Sequence, residues 1–338
     1  MEPPHSSTQA GERSLTPEHS QFGNACVAQH DRHNATVMID FLEALATRWL
    51  SRRAEPRPQA LAATKSLSPA VVITGGSSGL GLALARQFAQ HATAVVLIAR
   101  SQPRLDDAAA GLAASFPLVR IETLSLDVSR ADAGEVIKDW LSGKQLYCDV
   151  LVNNAAVGLS GPFSASEARK LETLVETNIA ATARLTRTFL PEMLARGSGG
   201  ILSIASLGGL VPGPHQAAYY ASKSFVISLS EAIRSEVSGL GVRVAVALPG
   251  PLETRFHARM DAEGALYRAI LPAMTPQRAA ASIVRGFRLG RGLIAPGVLP
   301  TLAVLALRML PHAVTVPIVR WLLDTGRSPL PPPSADQQ

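Results

Sequence analysis

Thr74-Gly75-Gly76-Ser77-Ser78-Gly79-Leu80-Gly81 is the stretch on which the fold turns. It follows directly on the short apolar, β-branched run 70–74 and leads into an apolar helical run over 80–90. Its glycines at 75, 79 and 81 stand where a strand gives way to a helix. Gly75 permits a tight turn, Gly79 lets the backbone approach a pyrophosphate, and Gly81 lets the helix pack close to the sheet. The N–H groups of a helix start, together with the helix dipole, make an anion site. A glycine-rich turn alone is a weak motif. Between an apolar strand and an apolar helix, inside a chain of repeated βα units, it points to a dinucleotide-binding loop.

The units repeat on the C-terminal side. Apolar runs over 94–99, 119–126, 150–153, 201–204, 242–248 and 292–295 predict strands. Helical spacing fills 105–114, 131–141, 166–194, 217–237 and 276–289 between them. Strands that read as continuously apolar are covered on both faces. Repeated βα units give a parallel sheet with right-handed crossovers. The expected fold is therefore α/β, a Rossmann-like doubly wound parallel sheet in one catalytic domain over 67–292, with an extension at each end.

The extensions differ in kind. Residues 1–36 hold Pro3, Pro4, Pro17 and many Ser and Gln without an apolar period, which predicts disorder. They also lack the basic start and apolar core of a signal peptide. Residues 37–66 read as an amphipathic helix with Met38, Phe41, Leu42, Leu45 and Trp49 on one side, stopped by the linker Glu55-Pro56-Arg57-Pro58. Residues 293–325 are apolar but broken by Pro296, Pro300, Pro311 and Pro317. The longest uncharged run, 292–307, falls short of the ~20 residues a spanning helix needs. A helical pair that packs on the core or lies at an interface is expected there. Membrane-surface contact through 37–50 and 293–323, an oligomer interface, and packing on the body all remain open. The proline-rich tail 326–338 is expected to be disordered.

Composition narrows the function. The 338 residues carry a net charge of +6, and charged residues make up 17%. The basic excess is scattered over 67–292 with no Lys/Arg run longer than two, whereas a nucleic-acid-binding chain would cluster it on one face. Two cysteines, Cys26 and Cys148, exclude a disulfide scaffold, and their spacing excludes a paired-thiolate metal site. His215 and His257 have no second ligand at metal spacing, so no metal is expected.

The second strand ends at Ala99-Arg100-Ser101, with no Asp or Glu at 98–102 to take a free ribose 2′-hydroxyl. Arg100 offers a fork of donors to a 2′-phosphate, which favours NADP(H), with NAD(H) as the alternative. Ser77 and Ser101 add hydroxyls. Further on, Tyr219 and Lys223 lie four apart in a helical stretch and share a face. A neighbouring ammonium favours the phenolate, and bringing a phenol from about 10 to about 7 takes ~4 kcal/mol. Tyr219 would then serve as a general acid for a carbonyl or a base for an alcohol.

With these residues the chain resembles the short-chain dehydrogenase/reductase family, in the branch carrying Thr-Gly-x-x-x-Gly-x-Gly. The resemblance covers roughly 68–295. The loop Thr74–Gly81 matches the cofactor turn, so Thr74, Gly75, Ser77, Ser78, Gly79, Leu80 and Gly81 are implied cofactor contacts. Asp127-Val128 stands where the family contacts adenine. Asn153-Asn154-Ala155-Ala156 stands where the family has Asn-Asn-Ala-Gly, with Ala156 in place of the glycine. Pro249-Gly250-Pro251-Leu252-Glu253-Thr254 matches the Pro-Gly-x-x-x-Thr stretch that closes over nicotinamide. Asn178, Ser206, Tyr219 and Lys223 match the catalytic tetrad, and Asn178 is implied to bend its helix. Dimers or tetramers through the helices bearing Asn178 and Tyr219 are a further implication.

The expected activity is reduction of a ketone, or oxidation of a secondary alcohol, with a nicotinamide cofactor. The apolar lid formed by Leu252, Phe256, Met260, Leu266, Tyr267, Ile270, Leu271 and Met274 suits a lipophilic substrate, and equally a lid that simply closes against the core. A cytoplasmic protein, membrane-associated if either extension seats on lipid, is the matching location. The competing reading is a catalytically silent NADP(H)-binding sensor or scaffold. It conflicts with the presence of all four tetrad residues.

Overall fold

Short runs of aliphatic and β-branched residues pair side by side in the centre of the sheet because they can be buried on both faces, while the edge strand over 120–125 is only partly buried. The computed structural model describes residues 64, 66–254, 256 and 273–323. Seven strands lie within them: β1 (Ser68–Thr74), β2 (Ala94–Ala99), β3 (Arg120–Ser125), β4 (Leu146–Asn153), β5 (Gly199–Ile204), β6 (Val242–Ala247) and β7 (Leu293–Ile294). They form one parallel sheet in the order β3-β2-β1-β4-β5-β6-β7. The expectations for 1–36, for nearly all of 37–66, for the tail 326–338, and for His257, Met260, Leu266, Tyr267, Ile270 and Leu271 lie outside the described residues.

Helices cover both faces. The crossovers are α1 (Gly79–Ala89), α2 (Gln102–Ser115), α3 (Ala133–Gly143), α4 (Ala168–Leu174), α5 (Ala181–Arg196), α6 (Ala217–Glu236) and α7 (Pro276–Arg288). On one face Leu84 and Phe88 of α1, Leu105 and Leu112 of α2, and Ile283 and Phe287 of α7 join Ile73, Leu97 and Val152 of the sheet. On the other, Ile137 and Leu141 of α3 and Leu185, Phe189 and Met193 of α5 meet Val72, Val96, Leu151 and Ile201. Alternate residues of each central strand feed the two cores, as the period of a strand requires.

The strand order reverses between β1 and β4. The loops after these two strands lead away in opposite directions and leave a crevice at the C-terminal edge of the sheet. Thr74 fastens the two strands at that point. Its hydroxyl donates to the Val152 carbonyl at 3.2 Å and accepts the N–H groups of Asn154 and Ala155, both at 3.0 Å.

Two elements differ from the sequence expectation. β4 begins at Leu146, four residues before the apolar run, and its pairing with β1 shifts register between Ala70 and Val71. The polar Asp149 sits at that irregularity and interrupts the apolar pattern, which hides the first half of the strand. The stretch 166–194 is not one helix. A π-helical turn, Val175–Ala180, separates α4 from α5.

The C-terminal segment forms two further helices, α8 (Val298–Met309) and α9 (His312–Leu323). Val319 and Leu323 of α9 pack with Val211, Tyr220 and Leu307. Arg308 of α8 pairs with Glu231 of α6. No helix among the described residues is long and apolar enough to cross a membrane.

Candidate active site

The crevice at the switch point opens into a cleft of about 1220 Å³ that runs along the C-terminal ends of β1, β2, β4, β5 and β6. One end is a cradle of backbone. Gly75 and Gly79 adopt φ of +65° and +56°, which side-chain-bearing residues rarely take. A Cβ on Gly81 would stand 2.2 Å from the Gly75 carbonyl oxygen, so α1 can start this close to the turn only with glycine there. The first N–H groups of α1 have no partner within their own helix and face the cleft with the positive end of the dipole. The Asn154 amide donates to the carbonyls of Thr74 at 2.9 Å and Gly75 at 3.3 Å and holds the turn against β4.

Further out, Arg100 and Ser101 line the cleft at the tip of β2, with Arg104 and Asp107 from the first turns of α2. Leu126, Asp127 and Val128 close that side after β3. Partial burial raises the Asp127 carboxyl, but the N–H and hydroxyl of Ser129, at 3.0 and 2.8 Å, and the charges of Arg100 and Arg130 outweigh it. The net position is below the usual carboxylate range, so Asp127 is an anion with oriented oxygens. Arg184 of α5 donates to the Ser129 carbonyl at 2.6 Å and anchors this loop.

The other end of the cleft holds the titratable groups. Tyr219 and Lys223 rise from α6, half-buried and 4% exposed respectively. The Lys223 ammonium donates to the Ile204 carbonyl at 2.9 Å and lies 5.7 Å from the centre of the Tyr219 ring. No carboxylate pairs with it among the described residues, and burial brings its pKa down from 10.5 to about 8. Ser206 follows β5. Its Oγ accepts the Gly208 N–H at 3.1 Å and donates to nothing among the described residues, so its proton is free for a group in the cleft. Phe256 lies against Tyr219 with ring centres 5.7 Å apart.

Asn178 is 1% exposed and does not line the cleft. It sits in the π-helical turn. Its Oδ1 accepts the Val157 N–H at 2.8 Å, and its Nδ2 donates to the Val157 carbonyl at 2.8 Å and to Ser222 Oγ at 3.1 Å. Ser222 in turn donates to the Tyr219 carbonyl at 2.7 Å. Asn178 therefore joins the loop after β4 to the helix that carries the Tyr-Lys pair. Single π turns of this kind collect at functional sites because they displace one residue out of the helical ladder.

All the other proposed site residues except Thr74 line the cleft: Gly75, Ser77, Ser78, Gly79, Leu80, Gly81, Arg100, Ser101, Asp127, Val128, Asn154, Ala155, Ala156, Ser206, Tyr219, Lys223, Pro249, Gly250 and Thr254. Thr74 lies just behind them as the β1–β4 fastener. The sequence reading missed Arg104, Gln216 and Tyr220, and the wall supplied by Leu307, Thr315, Val319 and Leu323 of α8 and α9. Arg104 could have been found as a second basic residue just past the β2 tip, in the first turn of the helix that follows. Nothing in the local sequence points to the α8–α9 wall. Leu252 and Met274, the two ends of the expected lid, bridge to each other and fix where that loop leaves and rejoins the body.

The family model for short chain dehydrogenases matches residues 69–264. The ketoacyl reductase HetN of Nostoc sp. is 35% identical over 186 residues, covering 53% of this chain and 62% of that protein. The very-long-chain 3-oxoacyl-CoA reductase of Mus musculus is 33% identical over 188 residues, covering 54% and 59%. The match thus spans about three fifths of the length of these curated relatives. Among solved structures, a short-chain dehydrogenase from Sphingobium yanoikuyae in complex with NADPH superposes with a TM-score of 0.63 at 30% identity, covering 70% of this chain and 92% of that one.

Proposed function

The chain belongs to the short-chain dehydrogenase family, and from that premise we propose that it is an NADPH-dependent reductase of lipophilic ketones, or in reverse a dehydrogenase of the corresponding secondary alcohols. The observation that carries the reading is the buried Lys223 ammonium, which no carboxylate pairs among the described residues, one turn from Tyr219 at the end of a cleft that begins in a glycine cradle. A buried cation without an anion is costly and is kept where it has work to do on a ligand.

The residues present fit a nicotinamide dinucleotide. The cradle of Gly75, Gly79 and Gly81 has space for a pyrophosphate where a Cβ would intrude. Arg100 and Arg104 stand at the adenosine end without an acidic residue at the β2 tip, which supports a 2′-phosphate and so NADPH over NADH. The likeness to a dehydrogenase solved with NADPH supports the same choice. Pro249, Gly250 and Thr254 close over the nicotinamide end. Bound there, the reduced cofactor supplies a hydride to a substrate carbon.

The chain's own groups do the rest. Ser206 donates its free proton to the substrate oxygen and fixes its position. Tyr219 delivers a proton to that oxygen as the carbonyl becomes an alcohol. Lys223 favours the phenolate that Tyr219 leaves behind and holds the nicotinamide ribose. Asn178 positions α6 and the loop at Val157. The wall of Leu307, Val319 and Leu323 is apolar apart from the Thr315 hydroxyl and supports a lipophilic substrate. The very-long-chain reductase among the relatives supports it too. We extend the reading to a cytoplasmic enzyme assembled in twos or fours across the helices bearing Asn178 and Tyr219. Exposed Val175 and Phe225 on those helices support that assembly.

The test is oxidation of NADPH against a panel of ketones of rising chain length, repeated with NADH and with Tyr219→Phe. Turnover that grows with chain length, prefers NADPH and vanishes in the variant is the expected result. Tight NADPH binding without oxidation by any ketone would move the protein to the sensor reading.

A further inference from the structure

The two C-terminal helices are apolar on both sides. Toward the body, Thr315, Val319 and Leu323 are buried. Toward solvent, Leu299, Leu302, Met309, Val314 and Trp321 are exposed, Trp321 by 58%. Two residues belong to both sides. Leu310 is 44% exposed and Ile318 50% exposed, and each also lines the catalytic cleft. The lining of the cleft therefore extends to exposed side chains beside the apolar face.

Exposed apolar surface on this scale, gathered on two adjoining helices, marks a contact surface. The charges bear on what it could contact. Between 293 and 323 the chain has Arg308, His312 and Arg320 and no Asp or Glu. Arg308 is tied to Glu231, while Arg320 is exposed and makes no ion pair among the described residues. A basic apolar face with an exposed tryptophan matches an anionic lipid surface. Each helix has 12 residues and so lies along a bilayer rather than across it. A protein partner seated on this face would seal the cleft at Leu310 and Ile318, whereas a lipid surface would leave it open to molecules dissolved in the bilayer.

We propose that the α8–α9 hairpin seats on the surface of an anionic bilayer and that the gap at Leu310 and Ile318 is the mouth through which an apolar substrate passes from the lipid into the cleft. This rests on the lipophilic-reductase reading for its substrate, but the seating itself is measured without turnover.

The experiment is flotation of the full chain with phosphatidylcholine vesicles, with and without phosphatidylglycerol, comparing wild type with a double variant, Leu302→Glu with Trp321→Glu. Neither residue lines the cleft. Wild type should float with the anionic vesicles, and the variant should lose about tenfold or more of its bound fraction. The variant should reduce a water-soluble ketone at the wild-type rate and lose rate on a ketone held in vesicles. In wild type, brominated lipid should quench a fluorescence component that is missing in Trp321→Phe, a measurement that does not depend on the double variant folding.

The seating is overturned if wild type does not float, if the variant floats equally well, or if Trp321 is not quenched. It is also overturned if sedimentation without lipid shows a dimer that the double variant breaks, since a second copy then covers the face. Equal loss of rate on both ketones would overturn the mouth. Flotation with no ketone reduced under any condition would sink the reductase reading and leave the seating standing.

Discussion

Replacing Lys223 by Met tests the central feature of the site, because it removes the buried charge while keeping the length of the side chain. The ammonium titrates at about 8 in the fold against 10.5 ordinarily, and burial is the cause. At about 1.36 kcal/mol per pKa unit, holding it protonated costs the fold roughly 3 kcal/mol at pH 7. Between 8 and 10.5 the unfolded chain binds the proton that the folded chain has released, so stability rises with pH across that window and is flat below it. The variant has no such group. The free energy of wild type relative to Lys223→Met should therefore rise by about 2–3 kcal/mol from pH 7 to pH 10. Loss of the 2.9 Å bond to Ile204 is common to both pH values and falls out of the difference. Urea unfolding of the two proteins without dinucleotide, at the two pH values, makes the measurement. Parallel stabilities across that range would refute the claim that Lys223 is a desolvated cation. The variant should also be inactive, whatever its stability.

Tyr219→Phe should lower turnover by about 10²–10⁴-fold while the NADPH dissociation constant stays within a few-fold, as measured by rapid-mixing kinetics and fluorescence titration. Arg100→Ala should raise the KM for NADPH by roughly tenfold or more and leave that for NADH nearly unchanged, since one charge-assisted contact is worth about 1.5–3 kcal/mol. Gly81→Ala should lower the melting temperature and weaken NADPH binding together, because its Cβ would meet the Gly75 carbonyl at 2.2 Å and push α1 off the turn. Asn178→Ala should cost stability by about 1–3 kcal/mol, seen in urea unfolding, because it leaves the Val157 N–H and carbonyl without their buried partners.

Much of the site is legible in the chain because its parts are local. The Gly75–Gly81 turn needs only the strand before it and the helix after it. Tyr219 and Lys223 need only a helical period. Ser206 and Asn154 end apolar runs, and the ends of parallel strands gather at one edge of the sheet. Asn178 is different. Its place in a π-helical turn, bonded to Val157 and Ser222, depends on contacts across 21 and 44 residues of sequence, and no helical pattern carries that information. Thr74 is a similar case, since its hydroxyl bonds to residues nearly 80 positions away.

The sequence by itself determined the parallel sheet, the anion-binding turn and the Tyr-Lys pair, because periodicity and backbone sterics act within a few residues of one another. Only the tertiary structure decided where the C-terminal helices go. Their apolar pattern is satisfied equally by a membrane, a partner or the core. The packing of Val319 and Leu323 on Val211 and Tyr220 seats their inner side on the body, and makes a distant segment one wall of the cleft.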